Sequence, residues 1–193
     1  NEYHLYSTEL KQTNETSDFL TNPAYHTHIP KTSFKAFWRS YSVVNQLKKD
    51  GIQLFHGLSN EIPLYIDKSK LKSVVTIHDL IFKVYPETYS AIDRKIYDLK
   101  FRYSCVHANR IIAISESTKN DISEYYNIES GKIEVIYPSC DPLYYQLKKE
   151  IDVNNILKQY NLPKEFLLHV GSIEPRKNLR KIIESFRHLK PDL

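Results

Sequence analysis

Methionine is absent from this 193-residue chain, tryptophan occurs once, cysteine twice and glycine four times. The glycines, at 51, 57, 131 and 171, never cluster. No stretch therefore offers the grouped glycines with which a P-loop or dinucleotide fold wraps a phosphate. Cys105 and Cys140 have no ligand-like spacing. They read as buried or free thiols, which fits a reducing cytoplasm. Asp-x-Asp does not occur, and no His/Cys/Asp cluster has the spacing of a metal site. No apolar run approaches the ~20 residues needed to span a bilayer. The chain opens at Asn1, so it is expected to be processed or partial, and the lack of a signal peptide excludes nothing. The sequon Asn14-Glu15-Thr16 stands alone, with no other mark of secretion.

What remains is the composition of an ordinary globular chain, 41% hydrophobic and 26% charged. The net charge of +4 permits attraction to an anionic donor or membrane surface but does not call for nucleic acid. Tyrosine is plentiful at 15 residues, yet no basic stretch is interleaved with stacking aromatics.

Hydrophobic periodicity divides the chain into alternating elements. Residues 3 to 6 form a short strand candidate, and the polar stretch to about Lys31 reads as loop. Phe34, Phe37, Trp38, Tyr41, Val44 and Leu47 recur at helical spacing and read as a core stripe, ended by Gly51. Strands are expected at 52–55, 74–77, 111–114 and 133–136. A helix capped by Ser90 and Asp93 should present Ile92, Ile96, Leu99, Tyr103 and Val106 on one face. Another should start near Ser115 or Ser117, and a short one near 153–160. Strands alternating with helices imply an α/β fold with a doubly wound parallel sheet.

Around residues 166 to 179 the chain changes character. FLLHV reads as a buried strand, Gly171 as a sharp turn, and Asn178 as the N-cap of an amphipathic helix. Arg176, Lys177, Arg180 and Lys181 crowd that helix start. Cations there are unfavourable by about 0.3–1 kcal/mol each when exposed. The sign reverses if an anion such as a phosphate sits at the helix start. A solvated basic helix start is the plainer alternative.

The segment VGSIEPRKNL resembles the donor-site motif of bacterial family 4 glycosyltransferases, whose GT-B fold sets two Rossmann-like domains face to face. VVTIHDL, RIIAISESTKNDI and KIEVIYPSCDPLY resemble further segments of that family in the expected order, together covering about residues 50 to 190. The resemblance implies an N-terminal Rossmann-like, acceptor-side domain over 1–140, incomplete at its start. A linker at 141–163 and the truncated beginning of a nucleotide-sugar-binding domain at 164–193 would follow. It implies a retaining transfer, hexosyl and in particular mannosyl-like, from a nucleotide-diphosphate-sugar to a glycan or lipid-linked acceptor. Cell-surface polysaccharide, such as lipopolysaccharide, is the expected product. In this chain the donor-binding residues would be Gly171, Ser172, Arg176 and Lys177. Lys177 would grip the diphosphate, and Arg176 would substitute for the arginine that in many members stands where Ser172 stands here.

His78 directly follows a strand, where open α/β sheets bind ligands, and the resemblance makes it the residue facing the donor sugar. Local satisfaction by backbone is its plainer reading. Asp79 beside it, and His56 and Ser115 at other strand ends, are acceptor-side or cleft candidates, although helix capping alone explains Ser115. Tyr137-Pro138-Ser139 reads as a hinge or a wall of the site. Glu184 and Asp192 are eight positions apart, as in the family's E-x7-E motif, but Pro191 lies between them and the pair reads as coincidence. No cofactor or metal is expected, with cationic side chains stabilising the leaving diphosphate. The expected location is cytoplasmic, with room for peripheral association at the inner membrane face. A nucleotide-sugar epimerase and a non-catalytic nucleotide-binding module are the rival readings, and this fragment alone is expected to be inactive.

Overall fold

The computed structural model describes residues 2–146 and 150–186. The chain divides into two compact units, Asn1–Tyr137 and Pro138–Leu193.

The first unit opens with β1 (Tyr3–Tyr6), α1 (Asn14–Thr21) and β2 (Tyr25–His28). β1 and β2 pair in parallel as a two-stranded sheet. Both α1 and β2 fall within the stretch read from sequence as loop. α1 is closed by a reciprocal box that a search for Glu or Gln at N3 overlooks. The Thr13 amide donates to Thr16 Oγ1 and the Thr16 amide to Thr13 Oγ1, at 2.8 and 3.3 Å. β2 has no aliphatic residue to betray it; Tyr25 instead stacks on Tyr3 at 5.3 Å and meets Phe19 edge-on.

Next comes a continuous helical rod: α2 (Lys35–Phe37), a π turn over Trp38–Ser42, and α3 (Val43–Lys49). The π turn brings Val43 above Trp38, whose carbonyl its amide contacts. Trp38, Val43, Val44 and Leu47 are therefore buried, whereas Phe34, Phe37 and Tyr41 face solvent. The expected aromatic core stripe is only half core, because the extra residue per turn breaks the 3.6 periodicity on which it rested. Gly51, at φ +70°, releases the chain from α3.

The main sheet holds β3 (Leu54–Gly57), β4 (Lys72–Ile77), β5 (Arg110–Ala113) and β6 (Ile133–Val135), parallel and in that spatial order. β3 starts two residues later than its apolar pattern suggests, so His56 lies within it. The connections carry α4 (Ile81–Val84), α5 (Ala91–His107) and α6 (Glu116–Tyr126). Ser73, Val75 and Ile77 of β4, with Ile111 and Ala113 of β5, are buried on one face, against Leu47, Leu80, Cys105 and Ile122. This is the α/β architecture expected. The Cys105 thiol, enclosed in that core, has its pKa pushed up to about 12 by burial.

Of the face that periodicity selects on α5, only Tyr103 packs against the core. Ile92 and Leu99 are 72% and 73% exposed, and Ile96 and Val106 also face solvent, while Phe101, Ser104 and Cys105 are buried. α5 carries two apolar stripes. The one with small Ser104 and Cys105 allows the closer approach to the neighbouring elements, and Ser104 Oγ there accepts from the Ile62 amide at 3.1 Å.

In the second unit, α7 (Glu150–Gln159) is followed by Asn161, which takes φ +50°. A 3-10 turn over Pro175–Lys177 leads into α8 (Leu179–Phe186). The strand expected at 166–170 is not formed. Leu167 and Leu168 are each 74% exposed, because a strand needs a ladder for its backbone groups and no described residue pairs with this one. Asn178 does not cap α8 from the extended region. It adopts φ +49°, and its carbonyl accepts from the Lys181 amide at 2.9 Å.

Candidate active site

The carboxyl ends of β3, β4 and β5 form one edge of the first unit and bring His56, His78, Asp79 and Ser115 there. Gly57 ends β3, and the chain folds back so tightly that a Cβ at this position would collide with the Glu61 carbonyl. The loop behind it is fastened twice. Glu61 pairs with Arg39 and Lys100 at 3.0 and 2.9 Å, and Asn60, at φ +60°, donates its amide to the Thr76 carbonyl at 2.9 Å.

This loop holds His78. The His78 amide donates to Asn60 Oδ1 at 2.8 Å, and its ring Nε2 donates to the Leu58 carbonyl at 2.9 Å. A carbonyl only accepts, so the proton sits on Nε2 and the lone pair of the neutral ring on Nδ1. His78 is thus held by backbone on one ring nitrogen while the side chain as a whole stays exposed.

From the other side, Thr118 Oγ1 donates to the His78 carbonyl at 3.1 Å, and Ser115 Oγ lies 3.0 Å from that Thr118 oxygen. With its proton committed to His78, Thr118 accepts from Ser115. Ser115 also caps α6 by accepting the Thr118 amide at 3.1 Å, so capping and anchoring of the His78 loop are one arrangement. Asp79 Oδ1 accepts the Ile81 amide at 3.1 Å. His56 Nε2 lies 2.8 Å from Thr76 Oγ1, and loss of water around its ring lowers its pKa below the ordinary histidine value.

The cationic loop of the second unit sorts its charges. Glu174 takes the Ser172 hydroxyl on one oxygen at 2.5 Å and Arg176 Nε on the other at 2.7 Å. The Ser172 bond first, then Arg176, hold its carboxyl below the usual range. Arg180 and Lys181 turn to Glu184, at 2.7 and 4.0 Å. The Lys177 amide donates to the Glu174 carbonyl at 2.9 Å, while among the described residues no hydrogen bond or ion pair occupies its exposed ammonium group. Gly171 opens the loop. Asp192, the partner considered for Glu184, lies outside the described residues. The Tyr137-Pro138-Ser139 segment straddles the boundary between the units.

The sequence pattern places His78, Asp79 and Ser115 just beyond the ends of β4 and β5, where the structure also has them, while His56 lies within β3. That pattern misses Asn60, Leu58 and Thr118, which hold His78, and Glu174, which occupies Arg176. Their roles arise from backbone carbonyls and loop returns that leave no pattern, although an Asn in a polar turn is a weak sign of positive φ. Elsewhere in the first unit, two groups bring ligand-type atoms within 4.8 Å of one another: Glu2, His4 and His26, and His4, His28 and Asp50.

A family model, Glycosyltransferase Family 4, matches residues 2–142. The chain belongs to glycosyltransferase family 4. The serotype-specific mannosyltransferase WbdA of Escherichia coli is 29% identical over 147 residues, 74% of this chain and 18% of WbdA. The O-antigen chain mannosyltransferase B of the same organism is 25% identical over 138 residues, 70% of this chain and 35% of that protein. The family 4 chain thus spans about a fifth to a third of these curated relatives. In fold it is similar to Anabaena Alr3699/HepE, solved in complex with UDP-glucose, at TM-score 0.61 and 13% identity, over 98% of this chain and 58% of that one. A glycosyltransferase from Rickettsia africae gives TM-score 0.60 at 15% identity, over 98% and 50% of the two chains. The fold is therefore of the GT-B type. The family match ends before the 171–177 loop. Among the described residues, no helix is long and apolar enough to cross a membrane.

Proposed function

We propose that this family 4 chain is part of a glycosyltransferase that moves a sugar from a nucleotide-diphosphate-sugar to a glycan or lipid-linked acceptor during cell-surface polysaccharide assembly. The observation that carries the proposal is family membership over residues 2–142. The mannosyltransferases among its relatives favour a mannosyl or other hexosyl donor, and the UDP-glucose held by the HepE neighbour favours the nucleotide-sugar class. In this reading residues 1–140 are the acceptor-side domain, 141–163 a linker and 164–193 the start of the donor-side domain.

Lys177 neutralises charge on the departing diphosphate, and Arg176 assists once Glu174 releases it. Because cationic side chains meet the charge where it develops, the transfer needs no divalent ion. His78 orients the donor sugar, its ring set by the Leu58 carbonyl and its free Nδ1 available to a hydroxyl. The anomeric configuration is retained. The enzyme works in the cytoplasm at the inner membrane face, where a lipid-linked acceptor is reached.

The test takes the product of the full reading frame and incubates it with a panel of labelled sugar nucleotides and lipid-linked acceptors. Label in the acceptor, with retained configuration by NMR, is the expected result. An altered free sugar nucleotide would instead identify an epimerase, and tight nucleotide binding without transfer a binding module.

A further inference from the structure

The two-stranded sheet outside the main core is built around imidazole rings. In the β1–β2 register His4 lies opposite His26 and Tyr6 opposite His28. The His4 ring stacks on His28 at 5.1 Å and lies 4.8 Å from His26, and Tyr6 stacks on His28 at 4.4 Å. A third element completes the group: Asp50, just after α3, brings Oδ2 to 3.4 Å from His28 Nδ1. His4 Nδ1 and His28 Nε2 face each other at 3.0 Å. All three residues are half-buried, and each is anchored by an element or its terminus.

We propose that His4, His28 and Asp50 form a structural binding site for a zinc-class divalent ion, which clamps the β1–β2 sheet to the end of α3. Their geometry and their chemistry both point to it. The three residues offer one ligand atom each, all within 4.8 Å of one another. Bonds of about 2.0–2.1 Å to nitrogen and oxygen set neighbouring ligands about 3.3–3.5 Å apart. His4 Nδ1 and His28 Nε2 are already 3.0 Å apart, whereas Asp50 Oδ2 rests 3.4 Å from the other nitrogen of that ring, Nδ1, so taking up one ion requires the Asp50 carboxylate to swing to the Nε2 side. Two imidazoles and a carboxylate suit zinc and its neighbours better than calcium or magnesium, which take oxygen ligands.

The outer partners of such a site are present as well. The Tyr6 hydroxyl donates to Asp50 Oδ2 at 2.6 Å. The Gln46 side-chain amide lies 3.3 Å from His28 Nδ1, and the Trp38 indole N–H donates to Gln46 Oε1 at 3.3 Å. Partners of this kind orient ligands. The site has an evident use: two strands of four residues each make a sheet that is marginal by itself, and a metal bond supplies a tie its sparse apolar contacts do not.

The experiment strips the 193-residue chain with a chelator and titrates it with Zn²⁺ by calorimetry, in parallel with Co²⁺ by visible absorption. Thermal melting is followed with and without metal. One Zn²⁺ per chain, Co²⁺ bands typical of nitrogen–oxygen coordination and a melting point raised by metal are expected. His28→Ala and Asp50→Asn should abolish all three, and Gln46→Ala should weaken binding by about tenfold. Failure of the wild-type chain to take up either ion overturns the proposal without reference to any variant. So does binding that persists in the double variant His4→Ala/His28→Ala, or that falls with Glu2→Ala and His26→Ala but not with Asp50→Asn.

Discussion

His78 Nε2 donates to the Leu58 carbonyl across 2.9 Å, which ties the ring at the end of β4 to the loop that leaves β3. The bond fixes the tautomer and sets the direction of Nδ1, so the ring is oriented before any substrate arrives. Because His78 is exposed, replacing it removes orientation and little packing. On the proposed function, His78→Ala in the complete protein should lower sugar transfer by about 10²-fold, the cost of a misplaced reacting group. It should remove only about 1 kcal/mol of stability, the net worth of one hydrogen bond. Initial rates and urea unfolding of the same preparation check both parts. Unchanged rates would remove His78 from the site.

The loop that holds His78 depends on Gly57. Its missing Cβ is what lets Glu61 fold back, and the colliding atom is a backbone carbonyl that cannot swing aside as a side chain would. Gly57→Ala should destabilise the first unit by about 1–3 kcal/mol, the usual cost of overpacking. The displaced loop should carry the Leu58 carbonyl away from His78, so the His78 ring resonances should move in a histidine-selective NMR spectrum. A variant of wild-type stability would mean that the loop has another resting place.

His56 gives the unit a pH dependence whose sign follows from its environment. Its folded pKa lies below the ordinary histidine value because surrounding protein displaces water from the ring. The unfolded chain therefore binds the proton first as pH falls. Above about pH 6.5 both states are neutral and the stability is fully present; it is lost as pH drops through the unfolded and then the folded pKa. His56→Gln, which can keep a hydrogen bond to Thr76, should flatten the fall in urea midpoint between pH 7.5 and 5 relative to wild type. Parallel profiles for the two proteins would show that His56 titrates alike in both states.

The pattern of β4, β5 and β6 was legible because strands half-buried against helices leave compact apolar runs flanked by polar turns. Ser90 and Ser115 were legible because capping is local. The elements that escaped did so for physical reasons. β2 is stabilised by ring stacking, which has no hydrophobic signature. The π turn at Trp38 shifts periodicity without changing composition, and α5 has two apolar stripes of which periodicity cannot choose one. The 166–170 segment has the composition of a strand, but a strand is a property of pairing, and no ladder partner stands beside it among the described residues. At the site, strand ends could be read from sequence and hydrogen-bond partners could not. The place of His78 at the end of β4 is legible in the sequence, and the Leu58, Asn60 and Thr118 contacts that hold it are not.

The cations of the 171–181 loop form one crowded group in the sequence, and their pairing separates them. Arg176 is bound to Glu174, Arg180 and Lys181 turn to Glu184, and Lys177 has no such partner among the described residues. If this loop receives the donor diphosphate, Lys177 meets it at no exchange cost, whereas Arg176 must first leave a carboxylate. Lys177→Ala in the complete protein should therefore reduce transfer by about 10²–10³-fold, as loss of one charge-stabilising donor does. Arg176→Ala should cost distinctly less. Glu174→Gln, which weakens the hold on Arg176, should tighten donor binding. Donor affinity by calorimetry and transfer rates at saturating donor separate binding from chemistry. The reverse order, with Arg176→Ala the more damaging, would assign the diphosphate to Arg176 and leave Lys177 a solvated charge.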